Sequence, residues 1–350
     1  MQAAKTTEEL LSSKLRPIQV SRKSISELLT AMRYTGFQGR NLGLAADVWE
    51  MAVKSKDTVI MMGYSGSLST TGQWKIVKWL IENRMVDVLV STGANISEDL
   101  IEAMGFNYWI GTPYIDDTVL RENNIYRFHD VYVKESDYIE MEKMLAEFME
   151  SIDTGRVYTS AEFLHLLGGW LDGKGIDGIL TSAYRAGVPV FCPALVDSGY
   201  GVAYLINRYH NNNFRLLIDH FKDYELLVRI RGRYSDSAVI FIGGGVPKDF
   251  IQLSAVAVDV IESGNLYETR PHKYAVQITT DNPHWGGLSG ATLEEGKSWG
   301  KESPDGHAVQ CFCDATIALP LLSHALAERV GKRSSPPQLS WVFRQGLENR

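Results

Sequence analysis

The chain has 350 residues, 45% of them apolar and 22% charged, with a formal net charge of −7 at pH 7. That length is enough to bury a large core, and the acidic balance argues against nucleic acid or an anionic membrane surface as partner. No run of about 18 apolar residues occurs, and the start, MQAAKTTEELLSSKLRP, has no apolar stretch of the kind a secretory signal needs, so a cytoplasmic protein is expected.

Along the chain, strand-like and helix-like segments alternate. DTVIMMGY (57–64) is a continuous apolar run ending beside glycine, followed by the loop SGSLSTTG and an amphipathic helix, QWKIVKWLIENR. VDVLVSTG (86–93) has the pattern of a second buried strand. SEDLIEAMG (97–105) predicts a helix opened by Ser97 and closed by Gly105. Met141, Met144, Leu145, Phe148 and Ile152 share one helical face, the mark of core packing. AEFLHLLGGWL predicts a helix, VPVFCPA (188–194) a strand and FRLLIDHFKDYELLVRI one long helix. AVIFIGGG (238–245) predicts a strand running into three glycines, with a helix from about Pro247. YAVQITT (274–280) and AVQCFCD (308–314) are the last strands, and ATIALPLLSHALAERV is a final helix containing a proline.

Continuous apolar strands separated by helices predict an α/β fold with a doubly wound, mostly parallel sheet. The expected organisation is a single domain over 1–350, with helical decoration over 1–50 and a loose polar tail over 334–350. The three cysteines, Cys192, Cys311 and Cys313, are an odd, low count that suits a reducing compartment, and the Cys-x-Cys pair lacks the second pair a zinc site would need. No metal is expected, and Cys311 and Cys313 are assigned to a buried strand.

Ligands of such sheets bind at the carboxyl ends of the strands. Those ends carry Ser65 to Ser67, Ser91 and Thr92, Asp197, Gly243 to Gly245, Thr279 to Asp281, and Asp314. Glycines admit a phosphate close to the backbone, a helix N-terminus offers free N–H groups, and Asp314 could accept from a ribose diol. No G-x-G-x-x-G is present; the joint placement of these residues points to a nucleotide-type ligand.

Downstream, TTDNPHWGGLSG (279–290) is a glycine-rich loop, and Thr292 with Glu295 matches a capping box that starts a short helix ending at Gly300. Lys301 then has two readings. It is a solvated lysine facing the helix C-terminus, or it is a nucleophile whose amine is desolvated against Trp299. Spacing leaves both open.

The segment EEGKSWGKE resembles the lysine-bearing segment of the deoxyhypusine synthases. FQGRNLG, VDVLVSTGAN, PVFCPALVDS, IGGGVPK, GLSGAT and CDA match the same family in order and spacing, over most of the chain. The resemblance implies a Rossmann-like NAD-binding fold, a homotetramer, and NAD-dependent transfer of the 4-aminobutyl group of spermidine through a lysine imine. It implies that Lys301 forms the imine, that Trp299 packs on the polyamine and that Glu295 is an active-site acid. It places Ser67, Glu98, Asp197, Gly244, Gly245, Thr280, Gly286, Ser289 and Asp314 at or beside NAD-contacting positions.

The departures lie in the amine-binding wall. Positions matching Val202 and Leu288 carry aspartates in the deoxyhypusine-forming enzymes, while those matching Asp249, Leu253 and Gln277 carry histidine, asparagine and tyrosine. The loop resembles the bacterial-type branch, whose acceptor is a small amine, putrescine, giving homospermidine. Asp249, Asp281 and Glu295 are then expected to meet the substrate's ammonium groups, with His284 as a proton shuttle. A true deoxyhypusine synthase acting on a protein lysine and a non-catalytic NAD-binding relative are the alternatives.

Overall fold

The computed structural model describes residues 6–262 and 269–343. Six strands form the main sheet: β1 (Thr58–Tyr64), β2 (Val88–Ser91), β3 (Val190–Phe191), β4 (Asp236–Ile242), β5 (His272–Thr279) and β6 (Glu302–Phe312). Their spatial order is β3-β2-β1-β4-β5-β6, and all pairings are parallel. The chain builds outward from β1 in one direction and from β4 in the other. The strand order therefore reverses between β1 and β4, where a doubly wound sheet opens its binding crevice.

Every residue of β1 is buried. Side chains alternate across a strand, so Ile60, Met62 and Tyr64 enter one core with Trp49 and Ile96, while Val59 and Met61 enter another with Val239, Phe241 and Leu227. Two apolar faces explain why the strand reads as an unbroken hydrophobic run.

Several local expectations are corrected. The helix assigned to 97–105 runs from Asn95 to Ala103, and Ser97 lies inside it, its hydroxyl donating to Gly93 O at 3.0 Å. The long helix expected over 214–230 begins only at His220, because Asp219 caps it by accepting from Lys222 N, and Leu217–Ile218 pairs as a strand with Val157–Tyr158. A small antiparallel sheet of Trp109–Ile110, Ile125–Phe128 and Val131–Lys134 was not anticipated.

The tail is not loose as far as residue 343. The Arg333 guanidinium donates to Asp87 Oδ2 and to Thr58 O, each at 2.7 Å, and Arg84 donates to Pro337 O at 2.7 Å. Leu339 and Val342 beyond it enter the second core. Residues 344–350 lie outside the described residues. No described helix is long and apolar enough to cross a membrane.

Candidate active site

A cleft of about 580 Å³ opens at the carboxyl ends of β1, β4, β5 and β6. Ser65 and Gly66 follow β1, Gly243 and Gly244 follow β4, Thr279 to Asp281 end β5, and Asp314 and Thr316 follow β6; Ser289 comes from the glycine-rich loop. Gly243 and Gly245 hold φ of +76° and +60°, the left-handed region that favours glycine. A Cβ on Gly244 would lie 2.4 Å from Ser289 Cα, so only glycine lets this turn touch that loop. Gln277 fastens the contact, donating from Nε2 to Gly243 O at 3.0 Å and to Ser289 O at 2.9 Å.

Of the expected cofactor residues, Gly244, Thr280, Ser289 and Asp314 line this cleft, and Gly245 adjoins it. Asp314 also serves the helix that follows: its Oδ1 accepts from Thr316 N at 2.7 Å and caps the helix Ala315–Arg329. Ser67 follows Gly66 and donates to Glu98 Oε2 at 2.7 Å. Burial pushes the Glu98 carboxyl up to about 7, against the Ser67 hydrogen bond. Ser91 ends β2 with its hydroxyl on Thr92 O, and Thr92 Oγ1 accepts from Asn95 at 3.2 Å. Asp197 is exposed on the β2–β3 side and Gly286 closes the exposed turn Pro283–Trp285; neither lines the cleft.

The helix Leu293–Ser298 shows why a lysine sits where it stops. Thr292 Oγ1 accepts from Glu295 N at 3.0 Å and starts the helix. At the other end Gly300 takes a φ of +74°, with Gly300 N bonded to Lys297 O and Lys301 N to Gly296 O. These two bonds are a Schellman closure. It turns the chain sharply into β6 and fixes the backbone of Lys301.

From there the Lys301 Nζ donates to Asp249 Oδ1 at 2.6 Å and stands 5.4 Å from the Trp299 ring. Its side chain is 12% exposed and that of Asp249 28%. The reading in which a tryptophan wall desolvates the amine needs adjustment, since Trp299 is itself 62% exposed and the close partner is a carboxylate. The solvated reading is also wrong, because the amine is paired and mostly covered. Glu295 is exposed on the same short helix, and His284 is exposed in the loop with its backbone N–H on Asn282 Oδ1.

Sequence reasoning missed the residues beneath this pair. Lys248 is buried, donating to Gln277 Oε1 at 3.0 Å and to the carbonyls of Leu288 and Ala291. It thereby ties the lysine-bearing side of the site to the cleft. Burial pulls the Lys248 ammonium down to about 8, with Lys301 adding and Glu302, Asp249 and Glu295 opposing. The available signal was periodicity: Lys248 occupies the stripe of the helix Gly245–Glu262 that continues through the buried Ile251 and Ala255. Cys313, assigned to a buried strand, is half-exposed and lines the cleft, while Cys311 is buried. Among the described residues, no group of three or more His, Cys, Asp or Glu is arranged to hold a metal.

The family model for deoxyhypusine synthase matches residues 27–326. The probable deoxyhypusine synthase 2 of Methanosarcina mazei is 41% identical over 336 residues, covering 95% of each chain. A deoxyhypusine synthase-like protein of Chlorobaculum tepidum is 36% identical over 316 residues, covering 89% of each. A crystal structure of an Entamoeba histolytica protein assigned to the same family superposes with a TM-score of 0.63 at 20% identity, covering 89% of this chain and 96% of that one. The last shows the fold alone; the sequence matches place the chain in the deoxyhypusine synthase family, whose members are transferases.

Proposed function

We propose that the chain is an NAD-dependent aminobutyltransferase that moves the 4-aminobutyl group of spermidine through an imine on Lys301 to putrescine, giving homospermidine. The observation that carries this reading is the pairing of Lys301 with Asp249 at 2.6 Å, on a turn joined through Lys248 and Gln277 to the cleft. The cleft suits a dinucleotide: its glycine turn admits phosphates, the following helix offers N–H groups, and Asp314 keeps Oδ2 for a ribose hydroxyl. NAD, when bound, supplies a hydride acceptor that returns the hydride at the end.

Asp249 takes the proton from Lys301 Nζ, leaving the amine free to attack. Lys301 Nζ then adds to the oxidised carbon of spermidine, and 1,3-diaminopropane leaves. The acceptor amine attacks the same carbon, displaces Lys301 and retains the aminobutyl group. Trp299 offers its ring face to the cationic chain, and Glu295 and Asp281 offer carboxylates at the rim. The active unit is a homotetramer.

The acceptor follows from the wall. Val202 and Leu288 place hydrocarbon where the deoxyhypusine-forming enzymes carry aspartates, and a changed pocket shifts specificity before it shifts chemistry. One observation favours a second reading: the Methanosarcina relative is named a probable deoxyhypusine synthase, which makes a protein lysine the rival acceptor. Incubation with NAD, spermidine and either putrescine or the acceptor protein, followed by mass analysis, separates the two. Borohydride should trap a spermidine-derived adduct on Lys301 and none in Lys301→Ala. An untrappable wild type that still binds NAD would leave only a non-catalytic relative.

A further inference from the structure

The glycine-rich loop is pinned at its base. Residues 283–288 are exposed, and the loop closes on itself where a Cβ on Gly290 would stand 2.5 Å from Asn282 O. At that base lies Lys248, 1% exposed, carried in by the first turn of the helix Gly245–Glu262. Its Nζ donates to Leu288 O at 3.4 Å, to Ala291 O, and to Gln277 Oε1 at 3.0 Å. Gln277 in turn donates to Ser289 O and to Gly243 O. The carbonyls of Leu288, Ser289 and Ala291 are therefore held by two buried side chains, one from β5 and one from the helix after β4.

Three acceptors converge on one nitrogen, and lysine is the side chain that meets them: an ammonium has three N–H donors and no acceptor. A buried cation is tolerated when its donors are met, and a buried carbonyl when it has a donor, so each side of this contact needs the other. Remove the ammonium and the two sides differ in their escape. Gln277 is fixed in the middle of β5, whereas Leu288 and Ala291 belong to a loop whose tip already stands in water, so their carbonyls reach solvent once the loop lifts from its base. We infer that Lys248 is a positioning residue for the dinucleotide: acting through Leu288 and Ala291, it latches the glycine-rich loop against the turn after β4 and keeps Ser289 in the wall of the cleft.

The inference rests on the reading of the cleft as the dinucleotide site, and its first readout needs no NAD. Lys248→Met keeps the length of the stem and removes all three donors. Hydrogen exchange of the full-length protein, read by peptide mass spectrometry, should then speed up by roughly tenfold or more in the peptide spanning 283–292, with β1 and β4 as slow as in the wild type. A merely structural lysine would instead loosen the strands together with the loop. Calorimetric titration of the same variant should show NAD bound roughly tenfold or more weakly. Loop exchange that stays at the wild-type rate, or rises only with that of the strands, overturns the latch; a faster loop with unchanged NAD affinity overturns the positioning role. If Lys248→Met does not fold, Gln277→Met, which removes the acceptor of Lys248 and the donor to Ser289, decides by the same outcomes. Wild-type protein that takes up no NAD would sink the proposed function and leave the exchange result to decide the latch.

Discussion

Replacing Gly244 by alanine tests whether the cleft depends on contact between the turn after β4 and the glycine-rich loop. The new Cβ would lie 2.4 Å from Ser289 Cα and 2.8 Å from Ser289 Cβ, where ordinary contact begins at 3.4 Å. The clash is with backbone, so the loop must retreat by the difference, about 1 Å. Retreat stretches both hydrogen bonds from Gln277 to Gly243 O and Ser289 O. Overpacking of this kind costs roughly 1–3 kcal/mol, which is about 5- to 150-fold in an equilibrium constant. NAD titrated into the protein by calorimetry should bind weaker by a factor in that range. Gly187→Ala is the control: its φ of +64° is strained for alanine but no atom lies within 4 Å of the added Cβ. It should reduce stability and leave the dissociation constant alone. Unchanged NAD affinity in a folded Gly244→Ala would refute the assignment of this cleft to the dinucleotide.

Glu98→Gln should change how stability depends on pH. Its carboxyl is raised from 4.5 to about 7 in the folded chain, so its contribution is fully present below about pH 4.5 and is lost as pH rises through 7. The loss is at most about 3 kcal/mol; urea unfolding should show the variant gaining on the wild type between pH 5 and pH 8, and a pH-independent difference would count against the buried ionisation. Trp299→Ala removes an exposed ring 5.4 Å from Lys301 Nζ. It should weaken spermidine binding by about 0.5–1 kcal/mol with the melting temperature unmoved, and a large drop in stability would mean the ring is structural. Leu339→Ala should cost about 2–5 kcal/mol in thermal unfolding, whereas a loose tail would register nothing.

β1 and β4 were legible because each buries both faces, so DTVIMMGY and AVIFIGGG leave no helical alternative of sufficient length. Gly300 and Thr292 were legible as stop and start because a left-handed glycine and a capping hydroxyl both act locally. Lys248 and Glu302 were not, since charged residues belong at the surface by default, and only tertiary packing gives them partners. The late start of the helix at His220 turned on one capping aspartate, Asp219, inside an apolar run. The packing of residues 333–343 was hidden because its anchor is a long-range ion pair, Arg333 with Asp87, that no local pattern announces.

The helix Phe37–Lys54 sits against the outermost strand, β6. Its first turns reach across to the peptide groups that no neighbouring strand would occupy: Phe312 N donates to Gln38 Oε1 at 2.7 Å, and Asn41 Nδ2 donates to Gln310 O at 3.0 Å. What looked like helical decoration thereby covers two peptide groups, those of Gln310 and Phe312, on the outer margin of β6. Trimming the chain to begin at β1 would not yield a smaller enzyme; it would bare a template on which other copies could stack, and the loss would appear first as precipitation.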